Sequence, residues 1–189
     1  DHDGSAEPDA GITFSTLSAT VLDELGFQES ATTWSALEGV LDSAWVAALQ
    51  PEGRRRLEQF VPRLCVAAAN ESAPDLALTR SLPFVKAVCR RSAYLVLLLE
   101  NPRALGHLLS LVAASQWIAD RLAARPELVD ELLHESTLYS APDRGELQSL
   151  VRQQLLRIPE DDLEAQMNAL SRIKDGVVLR VAASELMET

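Results

Sequence analysis

Apolar residues recur at steps of three and four along most of the 189-residue chain, the period of helices that bury one face. From Thr13, the set Phe14, Leu17, Val21, Leu22 and Leu25 predicts a short amphipathic helix that Gly26 ends. Ser30 or Thr32 is placed to cap the next helix, on which Trp34, Leu37, Leu41 and Trp45 share a core face. Pro51 opens a third, with Leu57, Phe60, Val61, Leu64 and Cys65 inward, and Pro62 predicts a bend within it. Residues 70–74 read as a loop and 75–82 as helix, with Pro83 bending or interrupting the path. Residues 85–99 are then strongly apolar. Arg90, Arg91 and Tyr94 are the sizeable polar groups there, which implies a packed ion pair or a contact with another domain.

The second half repeats one phrase. Pro102-Arg103-Ala104-Leu105 leading to Leu108-Leu109 matches Pro126-Glu127-Leu128-Val129 leading to Leu132-Leu133, 24 residues on. Two copies are better read as shared helix grammar than as a solenoid. Ser115 caps the helix of Trp117, Ile118 and Leu122, and Asp143 with Glu146 forms a capping box for that of Leu147, Leu150, Val151 and Leu155. Pro159 fits the first turn of a long last helix, where Glu160, Asp161, Asp162 and Glu164 meet exposed N–H groups and the positive end of the dipole. Behind them Leu163, Met167, Leu170, Ile173 or Lys174, Val177 and Val181 predict a buried stripe. Asp175-Gly176 lies mid-helix, where glycine costs about 1 kcal/mol against alanine and predicts a kink or an early stop. The expected fold is all-α, an irregular multi-helix bundle of about eight to ten helices.

Charge is unevenly placed: residues 1–50 hold nine acidic side chains and no lysine or arginine. Such a surface repels phosphates and argues against a nucleic-acid partner. Residues 1–11 mix Gly4, Ser5, Pro8 and Gly11 with acids, a composition that predicts a loose segment leading into one helical part over 12–189. No apolar run reaches the roughly 18 residues of a membrane span and no leader pattern opens the chain, so a cytoplasmic protein is expected. Cys65 and Cys89 lack the spacing of a disulfide framework or zinc knuckle and read as reduced core thiols. The chain opens on Asp1 without a methionine, as an excised or processed chain would.

Chemistry is sparse. His2, His107 and His134 are scattered without a second ligand at i+4, so no metal site is expected. Glu160, Asp161 and Asp162 are consecutive, and on a helix their carboxylates would diverge by about 100° per residue rather than meet on one Mg²⁺. The Arg54-Arg55-Arg56 run has no glycine-rich turn beside it and reads as a solvated helix face. No nucleophile elbow or phosphate-cradling loop is present, so no catalytic residue is assigned.

Several pieces nonetheless fall in a recognisable order. They are Arg90-Arg91-Ser92-Ala93-Tyr94-Leu95 with Glu100-Asn101-Pro102, Ala114-Ser115-Gln116-Trp117-Ile118-Ala119, Arg125-Pro126-Glu127-Leu128-Val129-Asp130 with Leu138-Tyr139, Arg157-Ile158-Pro159-Glu160-Asp161-Asp162, and Leu179-Arg180-Val181-Ala182-Ala183. Over about residues 55–186 the set resembles the segment that precedes the second nucleotidyltransferase domain of glutamine synthetase adenylyltransferases. The resemblance implies a parent enzyme that uses ATP and Mg²⁺ to attach AMP to a tyrosine of glutamine synthetase. It also implies removal of that AMP by phosphorolysis, under a PII-type signal protein and glutamine. The Asp-x-Asp pair that holds Mg²⁺ in that family lies beyond the matched segment, so this chain is expected to be a non-catalytic helical link beside adjacent catalytic domains. Arg90, Arg91, Tyr94, Glu160, Asp161 and Asp162 are the candidates for an interdomain or partner contact. The alternative is an autonomous helical adaptor that binds through the Arg90, Arg91 and Tyr94 surface.

Overall fold

A computed structural model describes residues 11–187, and the loose segment expected at 1–11 lies outside them except for Gly11. All the regular structure among the described residues is helical. Twelve α-helices exceed the expected eight to ten because the count includes single turns. They divide into two compact units with the boundary after Pro126.

The first unit holds α1 (Ala19–Glu24), α2 (Ser30–Leu41), α3 (Ala44–Ala47), α4 (Pro51–Ala69), α5 (Pro74–Val88), α6 (Ala93–Glu100), α7 (Pro102–Ala114) and α8 (Gln116–Ala124). Helix α5 is its centre, packed on α2, α4, α7 and α8. Ala77, Leu78, Phe84, Val85 and Val88 are buried along it. Phe60, Leu64, Leu95, Leu98, Leu108, Leu109 and Leu122 close the core around them without contact with solvent.

Several local expectations hold. Gly26, at φ +97°, reverses the chain after α1. That conformation belongs to the left-handed region and favours glycine. Ser115 accepts the Ile118 N–H at the start of α8. Other expectations change. The segment of Phe14 is a separate 3-10 turn before α1. Ser30 is the first helical residue of α2 rather than its cap, and the helix of Trp34 ends at Leu41, which leaves Trp45 on the one-turn α3. The caps of α2 come from another helix. The Asp75 carboxylate of α5 accepts the Gln28 N–H (2.9 Å), the Glu29 N–H (3.2 Å) and the buried Thr33 hydroxyl (2.6 Å). Pro62 sits inside α4 as expected, and Pro83 sits inside α5 without interrupting it. At the other end of the unit, Arg80 Nη1 donates to the Ala113 carbonyl (2.6 Å), a positive group on the terminal carbonyls of α7.

Helices α6 and α7 are the most apolar stretch and meet at 104° across Asn101. Asn101 donates its side-chain amide to the Leu97 carbonyl (2.7 Å), closing α6, and Pro102 begins α7. No single helix among the described residues is long and apolar enough to cross a membrane.

Cys65 and Cys89 are free, buried thiols. Burial pushes the Cys65 thiol up to about 12 and raises Cys89 as well. Thiolate is the reactive form. Iodoacetamide at about pH 8 is therefore expected to leave both unmodified in the folded chain and to alkylate both once guanidinium chloride unfolds it, as read by intact mass.

The second unit holds α9 (Val129–Leu132), α10 (Glu135–Leu138), α11 (Arg144–Leu155) and α12 (Leu163–Met187). Helix α12 packs on α10 and α11. The two rhyming phrases fold differently: Pro102 begins a 13-residue helix, whereas Pro126 begins a 3-10 turn that leads into the single turn of α9. That difference fits shared grammar and not a repeat. The capping box at α11 is present, with Glu146 N–H on Asp143 (2.8 Å) and Asp143 N–H on Glu146 (2.9 Å).

Helix α12 departs from expectation at both its start and its buried face. Pro159 lies in a turn, and the helix begins at Leu163 with Asp162 accepting the Ala165 N–H (2.9 Å). The stripe expected inside is mostly outside: Leu163 is 68% exposed, Met167 71%, Leu170 41% and Val181 40%. The buried positions are Ala169, Asp175, Gly176, Leu179 and Ala183. The helix continues through Asp175-Gly176 without a stop. Gly176 has a packing reason: a Cβ there would sit 2.7 Å from Glu131 Oε1 of α9.

Candidate functional site

Arg90 and Arg91 do not lie within one apolar helix. They occupy the turn between α5 and α6, where the Arg91 N–H donates to the Val88 carbonyl and the Tyr94 N–H to the Arg91 carbonyl. Both arginine side chains are exposed, while Tyr94 is half-buried. The turn is held by α4: Arg56 Nη1 donates to Ser92 Oγ (2.8 Å), and a Cβ on Gly53 would be 3.8 Å from the Cys89 carbonyl oxygen. Thus the start of α4, with Arg54, Arg55 and Arg56, is brought against the turn that carries Arg90 and Arg91. Glu52 pairs with Arg55 and Arg56, and Glu58 with Arg54, all on the exposed helix surface. Hydrogen bonds from Arg55 and Arg56 hold the Glu52 carboxyl below its usual range. A solvated face is a fair description of these pairs. The neighbourhood of the arginine run with Arg90 and Arg91 is hidden in the sequence by the 33 or more positions between them.

Glu160, Asp161 and Asp162 lie in the other unit, in the exposed turn before α12. Gln166 Nε2 donates to the Pro159 carbonyl (3.1 Å) and the Glu160 carbonyl (3.2 Å), folding that turn back on the first turn of the helix. Asp162 caps the helix start, while the Glu160 side chain is exposed beside it and so is that of Asp161. Among the described residues no three His, Cys, Asp or Glu side chains converge as metal ligands. The acidic turn does not fit the Mg²⁺ that the family resemblance implies for the parent enzyme.

A cleft of about 430 Å³ in the second unit brings together residues from separate pieces of the sequence. Glu127, Asp130, Glu131 and Asp175 line it together with Arg172 and Arg180. Arg180 also ties two elements together, since its Nε donates to the Thr137 carbonyl (2.8 Å) and its Nη2 to that of Ser140 (2.8 Å). This fork joins the end of α10 to α12, so two of the ordered pieces, Leu138-Tyr139 and Leu179-Arg180, are neighbours in space. Leu138, Leu179 and Ala183 are buried. The signal for the fork was the arginine itself, whose planar donors suit paired carbonyl acceptors.

Comparison with known proteins finds one family along the chain. The family model described as glutamate-ammonia ligase adenylyltransferase matches residues 105–189. A bifunctional glutamine synthetase adenylyltransferase/adenylyl-removing enzyme from Pseudomonas putida is 53% identical over 165 residues, 87% of this chain and 17% of the relative. That from Pseudomonas aeruginosa is 49% identical over 168 residues, 89% of the chain and 17% of the relative. The more distant one from Idiomarina loihiensis is 36% identical over 166 residues, 88% of the chain and 18% of the relative. The chain thus spans about a sixth of the length of the curated relatives it matches. Both units lie within the similarity: over most of its length the chain is similar to a segment of the bifunctional glutamine synthetase adenylyltransferases, and the glutamate-ammonia ligase adenylyltransferase model covers its last 85 residues.

Proposed function

We propose that this chain is a non-catalytic helical segment of a glutamine synthetase adenylyltransferase, where it links and orients catalytic domains. The observation that carries the reading is the exposed apolar face of α12, Leu163, Met167 and Leu170, in a unit whose similarity to the adenylyltransferases is continuous with the first. A linking segment needs such a face, because docking a neighbouring domain is driven by apolar area removed from water. In this reading the parent enzyme transfers AMP from ATP, with Mg²⁺, to a tyrosine of glutamine synthetase and removes it by phosphorolysis. A PII-type protein and glutamine control it from the cytoplasm. The basic turn of Arg90 and Arg91 and the acidic turn of residues 160–162 are the charged surfaces available for contacts with partners.

The test is calorimetric titration of the chain with purified glutamine synthetase, followed by addition of labelled ATP and Mg²⁺. The expected outcome is no incorporation of AMP by the chain alone, with incorporation by the complete polypeptide. Transfer by the chain alone would overturn the non-catalytic role.

A further inference from the structure

Helix α12 has two apolar faces, and the second unit uses one. At about 100° per residue, Ala169, Gly176, Leu179 and Ala183 fall together and are buried. Leu163, Met167, Leu170, Val177 and Val181 fall on the opposite side, and four of these five are exposed. This outer stripe repeats at i, i+4 and i+7 and extends over about 27 Å at 1.5 Å per residue. Lys174 lies in the same stripe near its centre, with its side chain 65% exposed.

We propose that the outer stripe of α12 is a docking seam for an amphipathic helix from elsewhere in the longer polypeptide, carrying apolar residues at matching spacing and a carboxylate level with Lys174. The inference rests on the reading of the chain as a segment of an adenylyltransferase. Length supports an intramolecular partner, since the relatives are about six times longer than the matched region. Charge argues against a second copy. Symmetric pairing of two α12 stripes, parallel or antiparallel, brings Lys174 within about a turn of its own counterpart in a seam that excludes water, where like charges repel. Asp175 engages Lys174 at 3.6 Å, and an ammonium with three donors has capacity for a second carboxylate.

The experiment introduces Met167→Cys into this chain and into the complete polypeptide encoded by its gene, and measures maleimide labelling of the folded and unfolded forms. The native thiols of this chain, Cys65 and Cys89, are buried, and in the complete polypeptide the labelling is read on the peptide that carries position 167, by mass. Labelling in the complete polypeptide is expected to be at least about tenfold slower than in the isolated chain, and Lys174→Glu is expected to restore a faster rate. Equal rates in the two contexts would overturn the seam. Concentration-dependent protection of the isolated chain, with a dimer in sedimentation velocity, would hand the stripe to a second copy and overturn it equally. AMP transfer to glutamine synthetase by the same complete polypeptide reads the functional assignment separately: protection without transfer keeps the seam and removes the assignment, and transfer without protection does the reverse.

Discussion

Leu179→Ala is expected to destabilise the second unit by about 3 kcal/mol, whereas Met167→Ala on the same helix changes its stability by less than about 0.5 kcal/mol. Leu179 has no solvent exposure and Met167 is 71% exposed. Truncating the buried leucine loses the transfer free energy of its methyl groups and leaves a cavity that the short helices α9 and α10 can fill only in part. Truncating the methionine removes surface that already faces water. Urea unfolding followed by circular dichroism measures both, with loss of helix in the second unit as the signal. The reverse order, with Met167→Ala costly and Leu179→Ala mild, would mean that α12 is rotated by about half a turn from the orientation described.

Asp75→Ala is expected to cost the first unit about 2 to 3 kcal/mol, the second large effect. One carboxylate satisfies two backbone N–H groups at the start of α2 and the hydroxyl of Thr33, which is 1% exposed. Alanine leaves all three without that acceptor, and hydrogen bonds to a charged group are worth more than neutral ones. Thr33→Val removes one of the three and should cost less. In a double-mutant cycle the pair should couple by about 1 kcal/mol, since the threonine hydroxyl has lost its partner once Asp75 is gone. Additive single effects would mean that the 2.6 Å contact contributes nothing beyond packing.

The contrast between these residues marks how much can be read in the sequence. Local grammar is legible where its partners are three or four positions apart. The Asp143 and Glu146 box, the Ser115 cap and the reversal at Gly26 depend only on neighbours, and they are where the spacing places them. Ties between helices are not legible. Asp75 serves residues more than 40 positions earlier, and Arg180 reaches carbonyls about 40 positions earlier; hydrogen bonds of this kind leave no period in a sequence.

Helix α12 defeats the periodic signal for a further physical reason. Periodicity finds the largest apolar residues, yet the inner face of this helix sets Leu179 among Ala169, Gly176 and Ala183, small residues that leave room for α10 and for Glu131 of α9. Leu163, Met167, Leu170 and Val181 are on the other side. Proline is ambiguous in the same way, because Pro159 suits a turn as well as a first helical position, and the Asp162 carboxylate on the Ala165 N–H decides in favour of the turn. Of the candidate contact residues, Arg90 and Arg91 are visible as charges in an apolar stretch. Their position on a turn braced by Arg56 needs the fold.

The right-angled meeting of α6 and α7 has a consequence for synthesis on the ribosome. Together these helices form the segment most prone to stick to other chains or to membranes before it is covered. Helix α6 is covered by α4, and α7 by α4, α5 and α8. Because α4 and α5 precede α6 and α7, most of the covering surface has left the exit tunnel when the apolar pair emerges, and only α8 remains to follow. The order of elements along the chain thus shortens the time for which its stickiest segment stands open to water.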